Sequence, residues 1–502
     1  MAQFFGSILA HFLTEPNSEL RLTFQVSYTI NQAKVRQGIK EMGTRASHQG
    51  LKLVDELRKN KGWNRQDSRW WREIPTSVST LKRFWEGKAI QPEVFIKICQ
   101  AVGLENWGEI VDNSPVHQQA EISYCFDYDN DWVGRTELIN QLVNKVRNSC
   151  RVLILTGITG IGKTALAERL AWELKGEFIN YFIVKFDSQD NTDFASVTAQ
   201  LLISWGEKIT PEDRQDTQRL LNWLVRSFQE NPYLVVLDSL EFILKGNVET
   251  GWSNFQDEWW EKLFQKLLSI NFCQSRIILT SQDLPAQLEA IALGSPNCWH
   301  CEPVKGFIES EWLELFENIG LEIEGESEAV NYLKRIGAAY EGHPLALRTI
   351  AGEIVSPPFN SNVVAYWRKY GHEVEEVEQI QKETELESRE DQLKLDRYNR
   401  RLKRAVKQRV EKTFDRLAKD VYNAYVLLSF GSVYRRPIPE KFLLKTVARL
   451  GWDEDKQQVA LDALRDRYLI EEEIINDELV LRQHNLIRSV ALNHLRKWDN
   501  ER

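Results

Sequence analysis

A glycine-rich stretch at residues 156–166, TGITGIGKTAL, carries the most specific chemical pattern in this sequence. It follows an apolar run and contains the spacing Gly-x4-Gly-Lys-Thr. Glycines let the backbone curl so that several N–H groups, and the positive start of a following helix, point at one anion. In this pattern the lysine reaches the β- and γ-phosphates of a nucleotide, and the threonine hydroxyl binds Mg²⁺. The predicted phosphate site comprises Gly157, Gly160, Gly162, Lys163, Thr164 and Ala165.

A carboxylate suited to the same metal ion follows another apolar run. The segment YLVVLDSLE places Asp238 directly after residues 234–237. An uninterrupted apolar run is typical of a parallel strand that is buried on both faces. Ligands of open α/β sheets bind at the carboxyl ends of such strands. We therefore expect Asp238 to hold Mg²⁺ together with Thr164.

The elements that must position these residues are parallel strands that alternate with helices. Apolar runs occur at residues 152–155, 234–237 and 277–279, and a fourth strand is predicted within NYFIVKFDSQD (180–190). Such alternation predicts a doubly wound α/β nucleotide-binding domain. Arg276 flanks the last run and is either a ligand of the γ-phosphate or part of an ion pair at the strand edge.

Composition limits the remaining possibilities. The chain has 502 residues and 42% hydrophobic residues, which is enough for two to four domains. A net charge of −9 argues against a protein that coats nucleic acid. The six cysteines are scattered, and no run approaches the ~20 apolar residues of a membrane span. We expect a cytoplasmic protein without a membrane segment.

Four further motifs occur in a fixed order around the phosphate loop. They are WVGRTELINQL before it, and PVKGFIESEWLELF, YEGHPLAL and LRQHNLIRSVAL after it. In this order they resemble the NB-ARC branch of the STAND P-loop nucleotide switches, also called AP-ATPases, over roughly residues 131–495. The resemblance implies that Val133 and Arg135 lie on the adenine side, that Pro344 lies near the base, and that His484 approaches the β-phosphate of ADP.

The resemblance also implies a mechanism. Such a protein is locked by ADP at rest, and it signals or assembles into a homo-oligomer after exchange for ATP, with Mg²⁺ as the metal. Two departures bear on this expectation. Asn485 stands where the family often has aspartate, and Ser239 stands where it often has a second acidic residue. Glu241 is then the remaining candidate for orienting a water molecule, so we expect at most a slow ATPase. The alternatives are a nucleotide-gated DNA-binding regulator and a true ATPase motor.

A small basic module precedes the nucleotide domain. Residues 50–104 read as short helices separated by turns, a pattern that predicts a helix-turn-helix and resembles Cro-like repressor domains. Residues 51–97 contain eleven lysines and arginines against six acidic residues. The partner of this module is either DNA or another protein. The side chains expected to point outward from its reading helix, residues 77–86, are Ser79, Thr80, Lys82 and Arg83.

These observations predict a multidomain α/β plus α chain. We expect an N-terminal segment (1–45), an all-α helix-turn-helix domain (46–112), a nucleotide-binding domain (113–302), a helical lid (303–370), a charged helical insertion (371–410) and a winged-helix domain (411–502). The insertion has nine acidic residues in 373–391 and nine basic residues in 394–412, which suggests a helical hairpin that pairs acid with base. No repeat of 20–50 residues is present in the sequence, so the trigger of the switch is left open.

Overall fold

The computed structural model describes residues 46–61, 78–85, 90, 92–104, 106–111, 132–187, 191–246, 253–282, 284–292, 294, 297–323, 325–387, 394–475 and 478–500. The chain divides into two compact units. One unit comprises residues 1–121 and 493–502, and the other comprises residues 122–492.

The first unit contains a small helical module with its own core. Its helices are α1 (His48–Asn60), α2 (Val78–Trp85) and α3 (Pro92–Ala101), followed by a 3₁₀ turn at Trp107–Ile110. The core is formed by apolar residues on one side of each helix, among them Val54, Leu81, Phe84, Phe95 and Ile98.

Helix α2 coincides with the predicted reading helix. Thr80 and Arg83 are partly exposed on it, and the side chains of Ser79 and Lys82 lie outside the described residues. In helix α1, Arg58 is buried and donates a hydrogen bond of 2.7 Å to Asp55. One of the eleven basic residues is thereby neutralised within the module. The assignment as a helix-turn-helix stays a prediction.

A parallel five-stranded sheet forms the centre of the second unit. Its strands are β1 (Val152–Thr156), β2 (Asn180–Lys185), β3 (Tyr233–Asp238), β6 (Arg276–Ser281) and β7 (Trp299–Pro303), in the order β2-β3-β6-β1-β7. Two short strands, β4 (Leu244–Gly246) and β5 (Ser253–Phe255), form a separate antiparallel pair. The register aligns Thr156 with Ser281, and Lys185 with Asp238. The carboxyl ends of these strands therefore meet at one edge.

Helices cover both faces of this sheet, as the alternating pattern predicts. Those of the nucleotide domain are α4 (Thr136–Arg147), α5 (Lys163–Leu174), α6 (Phe194–Ser204), α7 (Pro211–Gln215), α8 (Thr217–Glu230), α9 (Glu258–Ser269) and α10 (Ala286–Ala292). On one face α4 and α5 pack on Leu153 and Leu155. On the other face α6, α8 and α9 pack on Ile154 and Leu237. Strands covered on both sides need apolar residues at every position, which explains the uninterrupted runs in the sequence.

Five helices follow the sheet, and we refer to them as the lid after the predicted domain. The lid consists of α11 (Glu309–Ile319), α12 (Glu328–Ala339), α13 (Pro344–Val355), α14 (Val363–Glu387) and α15 (Lys394–Asp420). Its core includes residues from all five helices, namely Phe316, Leu333, Leu347, Ile350, Trp367, Val374, Leu402 and Val406.

The charged segment 371–410 is part of this lid, which corrects the expectation of an inserted excursion. Val374 and Val406 are buried in the lid core. Each of the two long helices has an apolar stripe that packs into this core, and its charged residues lie on the other faces of the helix. The expected pairing of acid with base does occur between the two helices. Lys412 lies 3.3 Å from Glu376, and Arg409 lies 3.2 Å from Glu373.

The C-terminal elements follow in the order helix, strand, helix, helix, hairpin and helix. They are α16 (Tyr422–Gly431), β8 (Ile438–Pro439), α17 (Glu440–Ala448), α18 (Glu454–Asp466), β9 (Glu471–Ile475), β10 (Glu478–Arg482) and α19 (Asn485–Asn500). Strands β8, β10 and β9 form an antiparallel sheet in that order. The turn predicted at Asn476-Asp477 lies outside the described residues. Within the described ranges, no helix has the length and apolar character that crossing a bilayer requires.

Candidate nucleotide site

The predicted phosphate loop connects β1 to α5 and has the backbone that its glycines allow. The φ values of Gly157, Gly160 and Gly162 are 148°, 81° and 92°. Residues other than glycine rarely adopt such positive φ values. Gly162 is the residue before the first turn of α5. The loop thus leads directly into the positive end of a helix, as anion binding requires.

Lys163 lies against this loop. Its side chain is buried, and its Nζ donates hydrogen bonds to the carbonyl oxygens of Gly157 (2.9 Å) and Ile158 (3.2 Å). The loop therefore contains a fixed positive charge at the position that the sequence pattern assigns to phosphate binding.

Asp238 is the centre of a hydroxyl–carboxylate cluster. It is fully buried, and its Oδ1 accepts hydrogen bonds from Thr164 Oγ1 (2.8 Å) and Thr280 Oγ1 (2.6 Å). A carboxylate and a hydroxyl are oxygen donors of the kind that Mg²⁺ prefers, so Thr164 and Asp238 fit the predicted metal. Thr280 was not predicted as a site residue. Its signal in the sequence is a hydroxyl directly after the apolar run of β6.

The two residues relevant to hydrolysis follow Asp238. Ser239 has a φ of 66°, and its backbone N–H donates to Thr280 Oγ1 at 2.8 Å. The chain then forms a 3₁₀ turn at Leu240–Ile243. Within this turn, Glu241 Oε1 accepts a hydrogen bond of 2.9 Å from Gln282 Nε2. Gln282 follows β6 and is a second residue that the sequence reasoning missed.

Arg135 holds the phosphate loop from outside. Its guanidinium donates to the carbonyl oxygens of Ile161 (2.7 Å) and Lys305 (2.9 Å) and lies over the ring of Phe307. Burial lowers the pKa of this guanidinium to about 10, against the opposing influence of Glu311. Val133, two residues earlier, is buried in the lid core. Both residues therefore lie where the loop and the lid meet.

Arg276 does not lie with this set, which corrects the expectation that it reaches the γ-phosphate. It is the first residue of β6, so it lies at the amino edge of the sheet, opposite the phosphate loop. Its guanidinium donates to the carbonyl oxygens of Val146 (2.8 Å) and Asn148 (3.0 Å). It links α4 to the sheet instead.

The lid contributes residues next to the loop. Pro344 is the first residue of α13, a position that suits its fixed φ and missing N–H. The residue before it, His343, is fully buried, and its Nε2 lies 3.1 Å from the carbonyl oxygen of Thr159 in the phosphate loop. His343 was not predicted. The only signal for His343 in the sequence is its position directly before Pro344 in the segment YEGHPLAL.

His484 immediately precedes α19, and its ring is subject to the electrostatic influence of Lys163. Its Nδ1 accepts a hydrogen bond of 3.2 Å from the backbone N–H of Leu486. Burial lowers the pKa of His484, and Glu471 partly offsets this effect, whereas Arg482 and Lys163 add to it. The ring is therefore neutral at pH 7, with its proton on Nε2.

The segment around His484 is tied to the carboxyl end of β2. Asn485 Nδ2 donates to Asp187 Oδ2 at 3.1 Å, and Arg482 lies 3.5 Å from the same carboxylate. Arg435 Nε donates to the Asp187 carbonyl oxygen at 2.6 Å. Sequence reasoning missed Asp187, because nothing in its local sequence indicates a partner from the C-terminal elements.

A second contact lies at the same strand end. Lys185 Nζ lies 3.2 Å from Glu168 on α5 and 3.1 Å from Glu473 on β9. Burial alone would lower the pKa of Lys185, but the two glutamates raise it above its ordinary value. One lysine thus connects the helix after the phosphate loop to the C-terminal hairpin.

Comparison with known proteins supports the nucleotide domain. Residues 134–283 match the family model described as an AAA domain. Over 353 residues the chain is 27% identical to an uncharacterized WD repeat-containing protein of Nostoc sp., an alignment that covers 62% of this chain and 27% of the relative. The chain thus spans about a quarter of that relative's length.

Two solved structures are similar at low identity. Cdc6p from Pyrobaculum aerophilum is 12% identical with a TM-score of 0.33, covering 77% of this chain and 97% of that protein. The ORC1 protein of Aeropyrum pernix, solved in complex with DNA, is 14% identical with a TM-score of 0.32. The match covers 73% of this chain and 94% of that protein. The AAA match and the loop geometry agree with each other. The chain contains a P-loop nucleotide-binding domain of the parallel α/β class.

Proposed function

We propose that this protein is an ADP- and ATP-binding switch of the NB-ARC branch of the STAND class. The observation that carries the proposal is the hydrogen bond between Thr164 Oγ1 and Asp238 Oδ1. It joins the last residue of the phosphate-loop motif to the buried carboxylate of a separate strand. Lys163 lies in the same loop, so the residues for phosphate and Mg²⁺ are together.

In this proposal each of these groups has a defined task. The glycine-rich loop and Lys163 bind the phosphates, while Arg135 keeps the loop in shape. Thr164 and Asp238 hold Mg²⁺, which neutralises phosphate charge when it is bound. Pro344 lies near the base. The C-terminal elements act as a winged helix that reports on the nucleotide.

His484 supplies the difference between the two nucleotides. Its neutral ring has an Nε2–H, a donor that suits a phosphate oxygen. The β-phosphate ends in free oxygens in ADP, and it carries a further phosphoryl group in ATP. A ligand shifts a conformational equilibrium only through its different affinities for the two states. His484 therefore favours the closed, ADP-bound state, and ATP favours release of the C-terminal elements and homo-oligomer assembly.

The cellular compartment of the protein and the kind of sensor that would control it are part of the same proposal. Cys99, Cys150, Cys273, Cys298 and Cys301 are free thiols in the described part of the chain, which suits a reducing compartment such as the cytoplasm. The Nostoc relative is named as a WD repeat-containing protein. A repeat array joined to such a module would be a suitable sensor for a nucleotide switch.

Nucleotide binding is tested with the purified chain. Chromatography of the denatured protein should identify co-purified ADP, and calorimetry should show that Lys163→Ala abolishes tight binding of ADP. Lys208→Ala, at an exposed loop position, is the matched control and should bind as the wild type does. Unchanged ADP affinity in Lys163→Ala would refute the proposed site.

The role of His484 needs a separate measurement. Loss of one hydrogen bond to a charged group costs about 1.5–3 kcal/mol, so His484→Ala should release ADP roughly ten to a hundred times faster. Mass photometry with ATP should also show more assembled particles. Equal off-rates and equal mass distributions would remove His484 from the mechanism and leave the phosphate site intact.

A further inference from the structure

The first turn of helix α13 contacts the outer side of the phosphate loop. His343 is fully buried at the helix start, and its Nδ1 accepts a hydrogen bond of 3.3 Å from the backbone N–H of Ala346. Its Nε2 lies 3.1 Å from the carbonyl oxygen of Thr159. Two residues further on, the backbone N–H of Leu345 donates to the carbonyl oxygen of Gly160 at 3.4 Å. Two successive carbonyls of the loop thus receive hydrogen bonds from the lid.

The hydrogen bonds of His343 define its protonation state. A neutral imidazole has one donor and one acceptor nitrogen. Because Nδ1 accepts from Ala346, the proton is on Nε2, which then donates to Thr159. Burial lowers the pKa of His343 to about 3, so this arrangement persists throughout the physiological range. The single side chain caps the lid helix and holds the loop at the same time.

The loop needs such donors for a physical reason. When successive peptide N–H groups turn toward an anion, the carbonyls of the same segment turn away from it, and buried carbonyls require partners. The packing leaves little freedom as well. A Cβ at Gly160 would lie 2.8 Å from the Leu345 side chain and 2.9 Å from the His343 ring. Loop and lid therefore adopt their shapes together.

We infer that His343 is a positioning residue that couples the lid to the phosphate loop, so that the docked lid and the phosphate-binding shape of the loop form one equilibrium. This inference rests on the proposed nucleotide binding at the loop. Linkage then requires reciprocity: nucleotide strengthens docking of the first turn of α13, and loss of docking weakens nucleotide binding by the same factor. The lid acts on affinity through Thr159, without a contact of its own with the phosphates.

Two substitutions separate the two hydrogen bonds of His343. Asparagine places an oxygen near the position of Nδ1, and it is a favoured helix cap, so His343→Asn keeps the cap and loses the donor to Thr159. Glutamine places an amide nitrogen near the position of Nε2, so His343→Gln keeps that donor and loses the cap. Each variant is measured for ADP affinity by calorimetry and for its thermal unfolding midpoint.

The inference predicts opposite results for the two variants. His343→Asn should bind ADP about tenfold more weakly, as expected for one lost hydrogen bond to the loop. His343→Gln should bind within about twofold of the wild type, although its unfolding midpoint falls. Equal affinities in both variants, whether reduced or unchanged, would overturn the inference. A wild-type chain that binds no ADP would instead overturn the proposed function.

Amide hydrogen exchange of the wild-type chain tests the same coupling without any substitution, so it also applies if a variant fails to fold. ADP should slow amide exchange both in peptides that contain residues 157–162 and in peptides that contain residues 343–347. Protection of the loop without any change at residues 343–347 would contradict the coupling.

Discussion

The side chains of Asn485 and Asp187 are joined by a hydrogen bond of 3.1 Å across 298 residues of sequence. Asn485 directly follows His484, and Asp187 lies just beyond the carboxyl end of β2. The position of His484 near the phosphate loop is thus maintained by a contact of the next residue in the chain. An amide suits this position, because Asp187 is buried and the amide N–H can donate to its side-chain oxygen.

This contact predicts the effect of introducing aspartate at position 485. In Asn485→Asp a second carboxylate faces Asp187, and the amide donor is lost. We expect ADP to dissociate about tenfold faster, since one hydrogen bond to a charged group is worth about 1.5 kcal/mol or more. Stopped-flow release of a fluorescent ADP analogue measures this rate. Asn331→Asp on an exposed helix surface is the control, and an Asn485→Asp rate equal to it would contradict the prediction.

Turnover should be slow because no acidic residue directly follows Asp238. Ser239 occupies that position, and Glu241 is held by Gln282. We expect steady-state ATP hydrolysis well below the ~10 s⁻¹ median of enzymes. Glu241→Gln should lower the remaining rate further, whereas Glu207→Gln at an exposed position should not. A wild-type rate at or above that median would favour a motor over a switch.

The lid contains a buried ionic cluster whose loss should be costly. Glu353 is 7% exposed, forms ion pairs with Arg409 and Arg416, and accepts a hydrogen bond of 2.7 Å from Thr413 Oγ1. Removing one partner of such a cluster leaves buried charge uncompensated, so Glu353→Gln should lower the free energy of unfolding by about 3–5 kcal/mol. Urea denaturation measures this loss.

A matched substitution in the same region tests the role of burial. Glu376 pairs with Lys412 at 3.3 Å, but its side chain is 64% exposed. Exposed pairs contribute little, so Glu376→Gln should change the free energy of unfolding by less than about 1 kcal/mol. Similar losses for Glu353→Gln and Glu376→Gln would contradict the explanation by burial.

The buried histidine of the lid predicts a pH dependence of stability. Burial lowers the pKa of His343 from 6.5 to about 3. Between these values the unfolded chain binds a proton that the folded chain does not, so the free energy of unfolding falls as the pH falls through this window. The limiting contribution of one proton is about 1.4 kcal/mol per pH unit.

The comparison with His343→Gln isolates this contribution, because the other titrating groups are present in both proteins. Denaturation of both proteins at a series of pH values should give a steeper dependence for the wild type below about pH 6. Parallel curves would show that His343 does not titrate as its burial requires.

The sequence by itself determined the local parts of the nucleotide site. Glycine spacing, an apolar run before Asp238 and a lysine–threonine pair are encoded within a few residues, and backbone sterics and strand burial act over the same short range. The loop, the strands and the Thr164–Asp238 pair could therefore be predicted. The apolar stripes of the two long helices α14 and α15 could also be predicted, but not that these stripes pack into the lid core, because their partner residues lie elsewhere in the sequence.

Apart from the Thr164–Asp238 pair, only the tertiary structure decided which distant residues meet. The expectation that Arg276 reaches the γ-phosphate was wrong for a topological reason. A residue that begins a parallel strand lies at one edge of the sheet, and a loop that follows a parallel strand lies at the opposite edge. His343 lies 184 residues from Thr159, and their contact depends on the path of the whole lid. The same holds for Asp187 and Asn485. Such contacts follow from the order of the strands and the packing of separate elements, which short-range propensities and spacings do not encode.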